Sequence, residues 1–572
     1  MKKSICIISM DFVPKVYKYQ LFLIRELSLG MDKVIILTES MDGCIEQNKN
    51  VEVVYDVELY DVNRWKKFIT ENYSKLLYYD EWFLCNDSMF GPVNDLNSLL
   101  AKMRRRQSDF WGITSHMPII TTKITTNEFI QRYFMCFRGR KAQEHLHAFM
   151  YNLDSCISYQ QTEEKYEFVL TQYLKKCGLV SDVYINTSEL NGKDNKFFIS
   201  HILFNIDILL EKKAMPFIPK YIFNITKEVF LNYGDSMQVQ RTLDFLKKNT
   251  KYAIDNIYEY IVENVNMYTI VTNMNLFFTI REKKRISILP KIYPKVVIVA
   301  YLFYEDEMDE RIQYLRSIHA LVDIIIITDS KYKKDTLKRR IDFECRIIVS
   351  RPRGREWAGF LIETKKYIEN YKYLCFLHDK KTDYMAYKSI GKSFQSLLWE
   401  NMVLSKNYVE NIIDFFEKNS YIGVLLPPIP NFGVYTGLVG NYWTVCFDET
   451  IKLAKRIGIP LSYFNRENPP LSIGSCFWCR TDAITPLLDI EWSYEDFQSE
   501  PLPIDGTLNH ALERIIPYVA QMRGYLSAYI VNEQYDQSIK SNNFYMLREL
   551  INAVNTSGTF ENIINEIEKV KL

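Results

Sequence analysis

Short runs of apolar residues alternate along the chain with longer amphipathic stretches. The first half opens with the runs 5–8 and 33–38, and the second half opens with 296–299 and 323–328. These runs are short and rich in β-branched residues, which is typical of parallel strands covered on both faces. Because they alternate with helical stretches, the pattern predicts an α/β fold.

Both halves also contain a strand that ends in a polar residue and an aspartate. The first copy ends at Asn86 and Asp87, and the second ends at His378 and Asp379. In each half a helical stretch follows, and then a strand that contains a glycine. The repeat predicts a tandem duplication of one α/β module.

A third parallel lies further along each half. Glu167 and Asp505 are each followed by leucines at the third and seventh positions. This spacing puts the leucines on one face of a helix and the acid at the start of that helix. It predicts that Glu167 and Asp505 are counterparts in the two copies.

A charge run at 281–285 and two prolines after it separate the halves. A charged run and prolines before a new strand commonly mark the start of a domain. We predict a first module at 1–285, with a helical extension at about 180–280 that lacks strand rhythm. We predict a second module at 290–572 that ends in a helical tail.

Composition narrows the class of protein. The 572 residues include 71 Lys+Arg and 70 Asp+Glu, and a net charge of +1 argues against a nucleic-acid binder. Eleven scattered cysteines indicate free thiols in a reducing compartment.

The apolar start is broken by Asp11 and Pro14, which favours a buried strand over a signal peptide. No run reaches the roughly 18 apolar residues of a membrane span, so we expect a cytoplasmic protein that can contact a membrane surface.

Asp87 and Asp379 are the first candidates for chemistry, because open α/β sheets bind ligands at the carboxyl ends of their strands. A carboxylate there can hold a metal such as Mg²⁺ or Mn²⁺ on a nucleotide diphosphate, or position a sugar hydroxyl. The alternative is that each aspartate caps the helix that follows. Recurrence of the pattern favours ligand binding.

In the second half, Lys380 and Lys381 follow directly after His378 and Asp379. A diphosphate leaving group develops negative charge, which ammonium groups can neutralise as a metal does. The two lysines therefore replace a metal or reduce the need for one. A solvated basic turn is the alternative.

Arg353 and Arg355 flank a glycine shortly after a predicted strand. Arginines at such a turn suit an anionic or planar ligand, which predicts contact with a nucleotide. A structural turn with surface arginines is the alternative.

Cys476 and Cys479 form a C-x-x-C without the second pair that a zinc site normally needs. The aromatic residues between them indicate a buried strand. We expect Trp478 and Arg480 to line a sugar pocket, with Trp111 in that role in the first half.

The densest polar cluster lies at 505–514. Asp505, Asn509 and Glu513 follow one another at four-residue spacing and run up one helix face, with His510 one step round. A carboxylate at a helix start is well placed as a general base. Asp505 is the candidate, with His510 and Glu513 in reserve, and a helix cap plus an ion pair with Arg514 is the alternative.

These motifs resemble the rhamnan synthesis protein F family. The resemblance rests on 353–356, 376–382, 474–480 and 505–514, and in the first half on 86–92, 109–114 and 129–134. It implies two GT-A-type glycosyltransferase modules that act in rhamnose-rich cell-surface polysaccharide assembly. It further implies a nucleotide sugar donor such as dTDP-L-rhamnose, a lipid-linked acceptor and a single inverting displacement.

The resemblance also implies a role for each matching residue. Those implied at the nucleotide sugar in the second module are Arg353, Arg355, His378, Asp379, Lys380 and Lys381. Asp505 is implied as the base that deprotonates the acceptor hydroxyl. The corresponding residues in the first module are Asn86, Asp87 and Ser88, with Glu167 as the base.

Two departures from the family pattern matter. Residues 378–382 read His-Asp-Lys-Lys-Thr, where the family has Thr or Ser after the histidine. The first half carries Asn-Asp-Ser in place of a double aspartate, which puts metal binding by that module in question. The sequence leaves open whether both modules transfer sugar or one has degenerated. A non-catalytic carbohydrate-binding scaffold is the alternative to an enzyme.

Overall fold

The computed structural model describes residues 2–12, 14–40, 45, 47, 49–120, 124–190, 202–283, 294–380, 387–440, 443–554 and 558–570. The chain forms two compact units. The first comprises Met1–Ile225 and Val229–Tyr260, and the second comprises Thr226–Glu228 and Ile261–Leu572. Each unit is built on one large mixed β-sheet.

The strands of the first half are short and mostly buried. In chain order they are β1 (Ser4–Ser9), β2 (Lys33–Thr38), β3 (Val51–Tyr55), β4 (Glu81–Asn86), β5 (Met89–Phe90), β6 (Phe110–Gly112), β7 (Ser115–His116), β8 (Phe129–Ile130), β9 (Phe134–Arg138), β10 (Ser181–Val183) and β11 (Ile218–Pro219). Among the described residues, seven of them form one sheet in the order β10-β6-β9-β4-β1-β2-β3. In this sheet β9 runs antiparallel to both of its neighbours, and the other pairs are parallel.

Helices pack on this sheet and continue beyond it. They are α1 (Lys18–Gly30), α2 (Asp61–Leu76), α3 (Leu96–Arg104), α4 (Gly139–Asn152), α5 (Tyr159–Thr162), α6 (Phe168–Lys176), α7 (Ile202–Lys213), α8 (Lys227–Tyr233), α9 (Gln238–Asn249) and α10 (Asp255–Asn264). A π-helical segment at Glu163–Glu167 joins α5 to α6, and 3₁₀ turns lie at Ser188–Leu190 and Lys220–Phe223. Apolar side chains of α2, α4 and α6, such as Trp65, Leu146 and Leu170, form a core with β1, β2 and β4.

The strands of the second half repeat this pattern. They are β12 (Phe277–Ile280), β13 (Val296–Tyr301), β14 (Asp323–Thr328), β15 (Arg346–Val349), β16 (Tyr373–His378), β17 (Ile422–Leu426), β18 (Phe477–Arg480) and β19 (Leu526–Asn532). Within the described ranges they form one sheet in the order β12-β19-β17-β18-β16-β13-β14-β15. Here β18 is the strand that runs antiparallel to its neighbours.

The helices of the second half surround its sheet and form the tail. They are α11 (Met267–Asn273), α12 (Met308–Ile318), α13 (Lys331–Arg340), α14 (Arg355–Ala358), α15 (Lys365–Ile368), α16 (Lys388–Val403), α17 (Lys406–Lys418), α18 (Phe447–Ile457), α19 (Thr485–Leu488), α20 (Leu508–Met522), α21 (Glu533–Val554) and α22 (Phe560–Val570). A π-helical segment lies at Gly359–Glu363, with 3₁₀ turns at Gly433–Val439, Leu461–Tyr463, Thr481–Ile484 and Tyr494–Asp496. In the part of the chain that the structure describes, no helix combines the length and apolar character that a membrane span requires.

The two sheets share one plan. The order β3-β2-β1-β4-β9-β6-β10 corresponds strand for strand to β15-β14-β13-β16-β18-β17-β19, with the antiparallel strand at the same place. All residues of β13 and β16 are buried, as expected for parallel strands covered on both faces. The predicted fold class, α/β with two tandem GT-A-like (Rossmann-like) modules, is confirmed.

One strand of the second sheet comes from a segment that the sequence assigns to the helical extension. Residues 277–280 form β12, which pairs in parallel with β19. Phe277 stacks on Tyr529, with 4.9 Å between ring centroids. The boundary predicted at 285–290 lies outside the described residues.

Candidate active site

The carboxyl ends of the parallel strands β13 to β16 meet at one edge of the second sheet. Because β18 runs antiparallel to β16, with Phe477 opposite Phe376, the chain just before β18 reaches the same edge. His378 lies there beside Gly474, and its Nε2–H donates to the Gly474 carbonyl oxygen at 2.8 Å. This is the edge at which open α/β sheets bind ligands.

Asp379 is buried at the end of β16, with 4% of its surface exposed. Its Oδ2 accepts hydrogen bonds from the backbone N–H groups of Phe303 (2.7 Å) and Tyr304 (2.8 Å), which follow β13. Its Oδ1 is buried and has no hydrogen-bond partner among the described residues. Burial raises the pKa of Asp379 to about 7, although the two N–H groups act in the opposite direction. A metal ion or a hydrogen-bond donor of a ligand can therefore supply the partner that Oδ1 lacks.

The substitution Asp379→Asn is expected to flatten the dependence of stability on pH. An exposed aspartate titrates near pH 4, and the pKa of Asp379 is about 7, so the folded protein binds this proton more tightly than the unfolded chain. The resulting stabilisation is complete below about pH 4 and is lost as the pH rises through about 7, by about 4 kcal/mol at most. Thermal unfolding at about pH 5 and about pH 8 checks this, because the wild type should lose more stability than the variant. Equal losses in both proteins would contradict it.

Lys380 lies between the end of β16 and helix α20. Its ammonium nitrogen is 5.1 Å from the centroid of the Phe394 ring. Burial opposes the charge on Glu513, but the positive charges of Lys380 and Arg514 outweigh burial and lower the pKa of Glu513. The positive charge of Lys380 therefore favours the ionised form of Glu513 at this edge.

Glu513 is fixed by the chain that leads into β18. The hydroxyl of Ser475 donates to Glu513 Oε2 at 3.3 Å, and the backbone N–H of Gly474 also donates to this carboxylate. The Ser475 hydroxyl in turn accepts a hydrogen bond from Nε1 of Trp357 at 3.1 Å. These contacts hold Glu513 beside the segment whose Gly474 carbonyl oxygen accepts from His378.

Asp505 precedes α20, and 19% of its side chain is exposed. Its Oδ1 lies 3.3 Å from Nη2 of Arg514 and accepts from the backbone N–H of Gly506 at 2.8 Å. The hydroxyl of Thr444 donates to Oδ2. Both carboxylate oxygens of Asp505 therefore have hydrogen-bond donors. One donor is the guanidinium of Arg514, as the ion-pair alternative predicts.

His510 caps the first turn of α20. Its Nδ1 accepts from the backbone N–H of Thr507 at 3.4 Å and lies 2.7 Å from the Thr507 hydroxyl, so the ring hydrogen is on Nε2. Burial lowers the pKa of the imidazole, even though Glu513 and Asp505 act in the opposite direction. The structure thus brings Asp379, Lys380, His510 and Glu513 into one region of the second module.

The arginine-rich loop is tied to neighbouring segments. Arg353 donates through Nε to a backbone carbonyl oxygen of residue 497 at 2.8 Å. Arg355 forms a two-fold pair with Glu500, at 2.6 and 2.9 Å. Asn509 of α20 donates to the carbonyl oxygen of Gly354 at 2.9 Å, which joins the loop to the helix that carries Glu513. Contact with a nucleotide remains a prediction for both arginines.

Trp478 and Arg480 do not line this edge. Arg480 stands opposite Tyr373 at the start of β16, at the other end of the strand from Asp379. Trp478 is fully buried and donates to a backbone carbonyl oxygen at 2.9 Å. The expected sugar pocket does not hold for these two residues, because antiparallel β18 carries them away from the strand ends.

The substitution Arg480→Met is expected to lower the free energy of unfolding by about 3 kcal/mol or more. The buried guanidinium donates to the backbone carbonyl oxygens of residues 416, 419 and 422, which would lose their donors. Urea unfolding measures the change. The exposed Arg523→Met serves as the control, and similar small losses in both variants would contradict this account.

The first module holds its predicted residues at the corresponding strand end. Oδ2 of Asp87 accepts from the hydroxyl of Tyr19 at 3.0 Å and from Nε2 of Gln20 at 2.8 Å. The hydroxyl of Ser88 donates to Oδ1 of Asn86 at 2.6 Å. Asn86, Asp87 and Ser88 therefore lie together at the carboxyl end of β4.

Lys220 also belongs to this group, although the sequence does not predict it. Its ammonium nitrogen lies 2.8 Å from the Tyr19 hydroxyl oxygen, 3.6 Å from Asp87 Oδ2 and 4.6 Å from the centroid of the Tyr260 ring. Lys220 follows β11, which pairs with β5 directly after Asp87. No local motif marks it, because the contact depends on this distant strand pairing.

Glu167 is bound to Arg132. Nη1 of Arg132 donates to Oε2 of Glu167 at 2.6 Å, and its backbone N–H donates to Oε1 at 3.2 Å. Arg132 Nε also donates to Asp61 Oδ2 at 3.1 Å, and Asn86 donates to the same oxygen at 2.7 Å. One turn earlier in the helix, burial and the charge of Glu167 raise the pKa of Glu163 to about 7.

Trp111 and Lys381 are the last two predicted site residues. Trp111 is fully buried in β6 and packs against Phe83 and Phe134, so it does not line a pocket. Lys381 lies outside the described residues.

A family model described as rhamnan synthesis protein F matches residues 31–525. The match spans most of the chain and includes both strand-end aspartates and the start of α20. The chain belongs to the rhamnan synthesis protein F family. The resemblance drawn from the motifs is thereby confirmed.

This rhamnan synthesis protein F family member is also similar to curated proteins. Two are described as uncharacterized protein WxcX, from strains B100 and ATCC 33913 of Xanthomonas campestris pv. campestris. Each is 27% identical over 226 residues, which is 39% of this chain and 31% of the relative. The matched region therefore spans about a third of the length of these relatives.

Several solved structures resemble parts of this family member. HddC from Yersinia pseudotuberculosis is 12% identical, with 32% of this chain and 91% of that chain covered and a TM-score of 0.20. 4-diphosphocytidyl-2C-methyl-D-erythritol synthase from Anaerococcus prevotii is 13% identical, with 37% and 96% covered and a TM-score of 0.23. Glycosyltransferase GlyE from Streptococcus pneumoniae is 10% identical, with 67% and 87% covered and a TM-score of 0.19. All three scores are below 0.5, so no functional conclusion follows from them.

In the second module of this family member, one oxygen of Asp379 can coordinate a metal ion. Oδ2 of Asp379 is committed to two N–H groups, whereas the buried Oδ1 is unbonded within the described residues. Mg²⁺ commonly takes one or two protein carboxylates and completes its shell with substrate phosphates and water, so Asp379 fits Mg²⁺ or Mn²⁺ on a diphosphate. Asp87 fits less well, because the ammonium group of Lys220 already lies 3.6 Å from its Oδ2 and opposes a second cation there.

Proposed function

We propose that this chain is a rhamnosyltransferase. It moves L-rhamnose from a nucleotide diphosphate sugar, such as dTDP-L-rhamnose, to a lipid-linked glycan acceptor in cell-surface polysaccharide synthesis. Family membership supports this proposal. The observation that carries it is that Asp379 and Lys380, at the end of β16, share one sheet edge with Glu513, which Ser475 holds next to the contact between His378 and Gly474. In this proposal the protein works in the cytoplasm, at the inner face of the membrane where a lipid-linked acceptor is accessible.

The donor binds with its diphosphate against Lys380. Negative charge grows on the diphosphate as its bond to the sugar breaks, and a fixed ammonium group stabilises that charge in the transition state. When bound, Mg²⁺ or Mn²⁺ at Oδ1 of Asp379 would add a second positive charge at the same place. Lys380 supplies this charge from the chain itself.

The acceptor hydroxyl gives its proton to a carboxylate oxygen of Glu513 while its own oxygen attacks the anomeric carbon of the donor. The bond from that carbon to the diphosphate oxygen breaks, and the nucleoside diphosphate leaves with the bonding electrons. This single displacement inverts the configuration at the anomeric carbon and needs one base.

Glu513 suits the role of base better than Asp505. The positive charge of Lys380 lowers the pKa of Glu513. The base is therefore on the same side of the site as the charge that stabilises the leaving group. Asp505 forms an ion pair with Arg514 and accepts from Thr444. We assign Asp505 the task of holding Arg514 at the start of α20.

Release of nucleoside diphosphate tests the proposed function. The protein is incubated with a panel of nucleotide sugars, with and without a lipid-linked acceptor mimic, and the product is analysed for the added sugar. We expect acceptor-dependent release that is fastest with dTDP-L-rhamnose. A scaffold without catalysis would consume none of the donors, and that result would overturn the proposal.

A further inference from the structure

We infer that sugar transfer takes place in the second module alone. In the first module, Arg132 forms an ion pair with Glu167, which is the carboxylate that corresponds to Glu513. This inference rests on the proposed function. It follows from comparing the two modules position by position, since they share one strand plan.

The antiparallel strands give the first reference point. Arg138 stands opposite Glu81 at the end of β9, and Arg480 stands opposite Tyr373 at the end of β18. Glu81 and Tyr373 each lie six positions before the strand-end aspartate of their module. Six positions before the two arginines lie Arg132 and Gly474, which are therefore counterparts.

The helices before the last strands give a second reference point. α6 and α20 are each followed by a glycine in the left-handed region, Gly178 with φ 74° and Gly524 with φ 83°. Eleven positions before these glycines lie Glu167 and Glu513. In the structure, Glu167 thus corresponds to Glu513.

The contacts of the two carboxylates agree with this correspondence. The backbone N–H of Arg132 donates to Glu167 at 3.2 Å. Glu513 is held by the counterpart segment, through the hydroxyl of Ser475 at 3.3 Å and the backbone N–H of Gly474. The same part of the chain therefore contacts the same carboxylate in both modules.

The side chain at this position separates the two modules. In the first, the guanidinium of Arg132 donates to Glu167 at 2.6 Å and to Asp61 at 3.1 Å, and only 6% of the Arg132 side chain is exposed. In the second, Gly474 has no side chain, and a neutral hydroxyl donates to Glu513 instead.

This difference decides which glutamate can act as a base. Each oxygen of Glu167 already accepts an N–H from Arg132, one from the backbone and one from the guanidinium. Taking up a proton would leave a buried guanidinium with one anionic partner fewer, which is strongly unfavourable. Burial opposes the charge of Arg132, but Asp61 and Glu167 outweigh it and raise the pKa of Arg132 well above its usual value. The guanidinium therefore stays charged, and Glu167 stays bound to it.

The matched substitutions Glu167→Gln and Glu513→Gln test this inference in the full-length protein. Turnover is measured with the nucleotide sugar and acceptor that the wild type uses, and thermal unfolding is measured alongside. We expect Glu513→Gln to lose about 100-fold or more of its rate. We expect Glu167→Gln to keep its rate within about threefold, which is less than the loss of one hydrogen bond in a transition state.

If Glu167→Gln unfolds at a lower temperature, the double variant Arg132→Gln/Glu167→Gln replaces it, because this variant keeps a neutral hydrogen-bonding pair. A tenfold loss of turnover in a first-module variant that unfolds like the wild type would overturn the inference. So would turnover that survives Glu513→Gln. A wild type that turns over no nucleotide sugar would instead overturn the proposed function.

Discussion

Replacing Glu513 with glutamine is expected to lower kcat for sugar transfer by about 10²–10⁴-fold. Glutamine has nearly the same shape and can still accept from Ser475 and Gly474, but its amide oxygen cannot take a proton from the acceptor at neutral pH. The KM for the donor should change little, because Lys380 still faces the diphosphate. Steady-state rates of nucleoside diphosphate release at varied donor and acceptor concentrations separate the two effects.

Asp505→Asn is the matched control for this substitution, since it also removes one carboxylate near the start of α20. It should lower stability through the lost ion pair with Arg514, while kcat falls less than in Glu513→Gln. If Asp505→Asn has the larger effect on kcat and unfolds like the wild type, Asp505 is the base and our assignment is wrong.

The second large effect is expected from Lys380→Met. Methionine keeps much of the length of the side chain and removes the charge. A hydrogen bond to a charged group contributes about 1.5–3 kcal/mol, so affinity for a nucleoside diphosphate should fall about 10- to 100-fold. Affinity for the nucleoside without phosphates should not change. Isothermal titration with the two ligands measures both values.

Lys392→Met is the control for Lys380→Met, because Lys392 is an exposed lysine on α16. It should bind both ligands like the wild type. Equal weakening of nucleoside and nucleoside diphosphate by Lys380→Met would show a distorted site and would contradict a role at the phosphates. Turnover of this variant should also rise more steeply with added Mg²⁺ than turnover of the wild type.

Much of the fold is predictable from the sequence because its strands are strongly patterned. The apolar runs that become β1 and β13 are fully buried, and Asp87 and Asp379 follow strands that align in the two sheets. Strand-end logic alone therefore locates the edge where the candidate site lies. It also explains why Lys380 could be named from its position next to Asp379.

The pairing of Glu167 with Asp505 shows where periodicity misleads. Asp505 precedes Glu513 by eight residues, close to two helical turns, and apolar residues follow both at the third and seventh positions. A helix pattern looks nearly the same after a shift of two turns. The end of the helix at Gly524 and the backbone N–H of Gly474 fix the register, and neither is visible in the pattern of leucines.

Other parts of the site depend on tertiary pairing. Trp478 and Arg480 are near a conspicuous motif, yet the direction of β18 takes Arg480 to the far end of β16. Lys220 reaches Asp87 because β11 pairs with β5, and Arg132 meets Glu167 because α6 packs against β8. Such contacts follow from the three-dimensional arrangement, which local sequence does not encode.

The position of a nucleoside diphosphate bound to the protein, determined in a structure of the complex, tests the role of this edge. We expect diphosphate oxygens within about 3 Å of Nζ of Lys380, at the carboxyl end of β16 and on the side of Glu513. The opposite end of the second sheet has a cavity of about 350 Å³ that is lined by Lys372, Arg480 and Asp482. A nucleotide bound in that cavity, with the edge at Asp379 empty, would contradict the account.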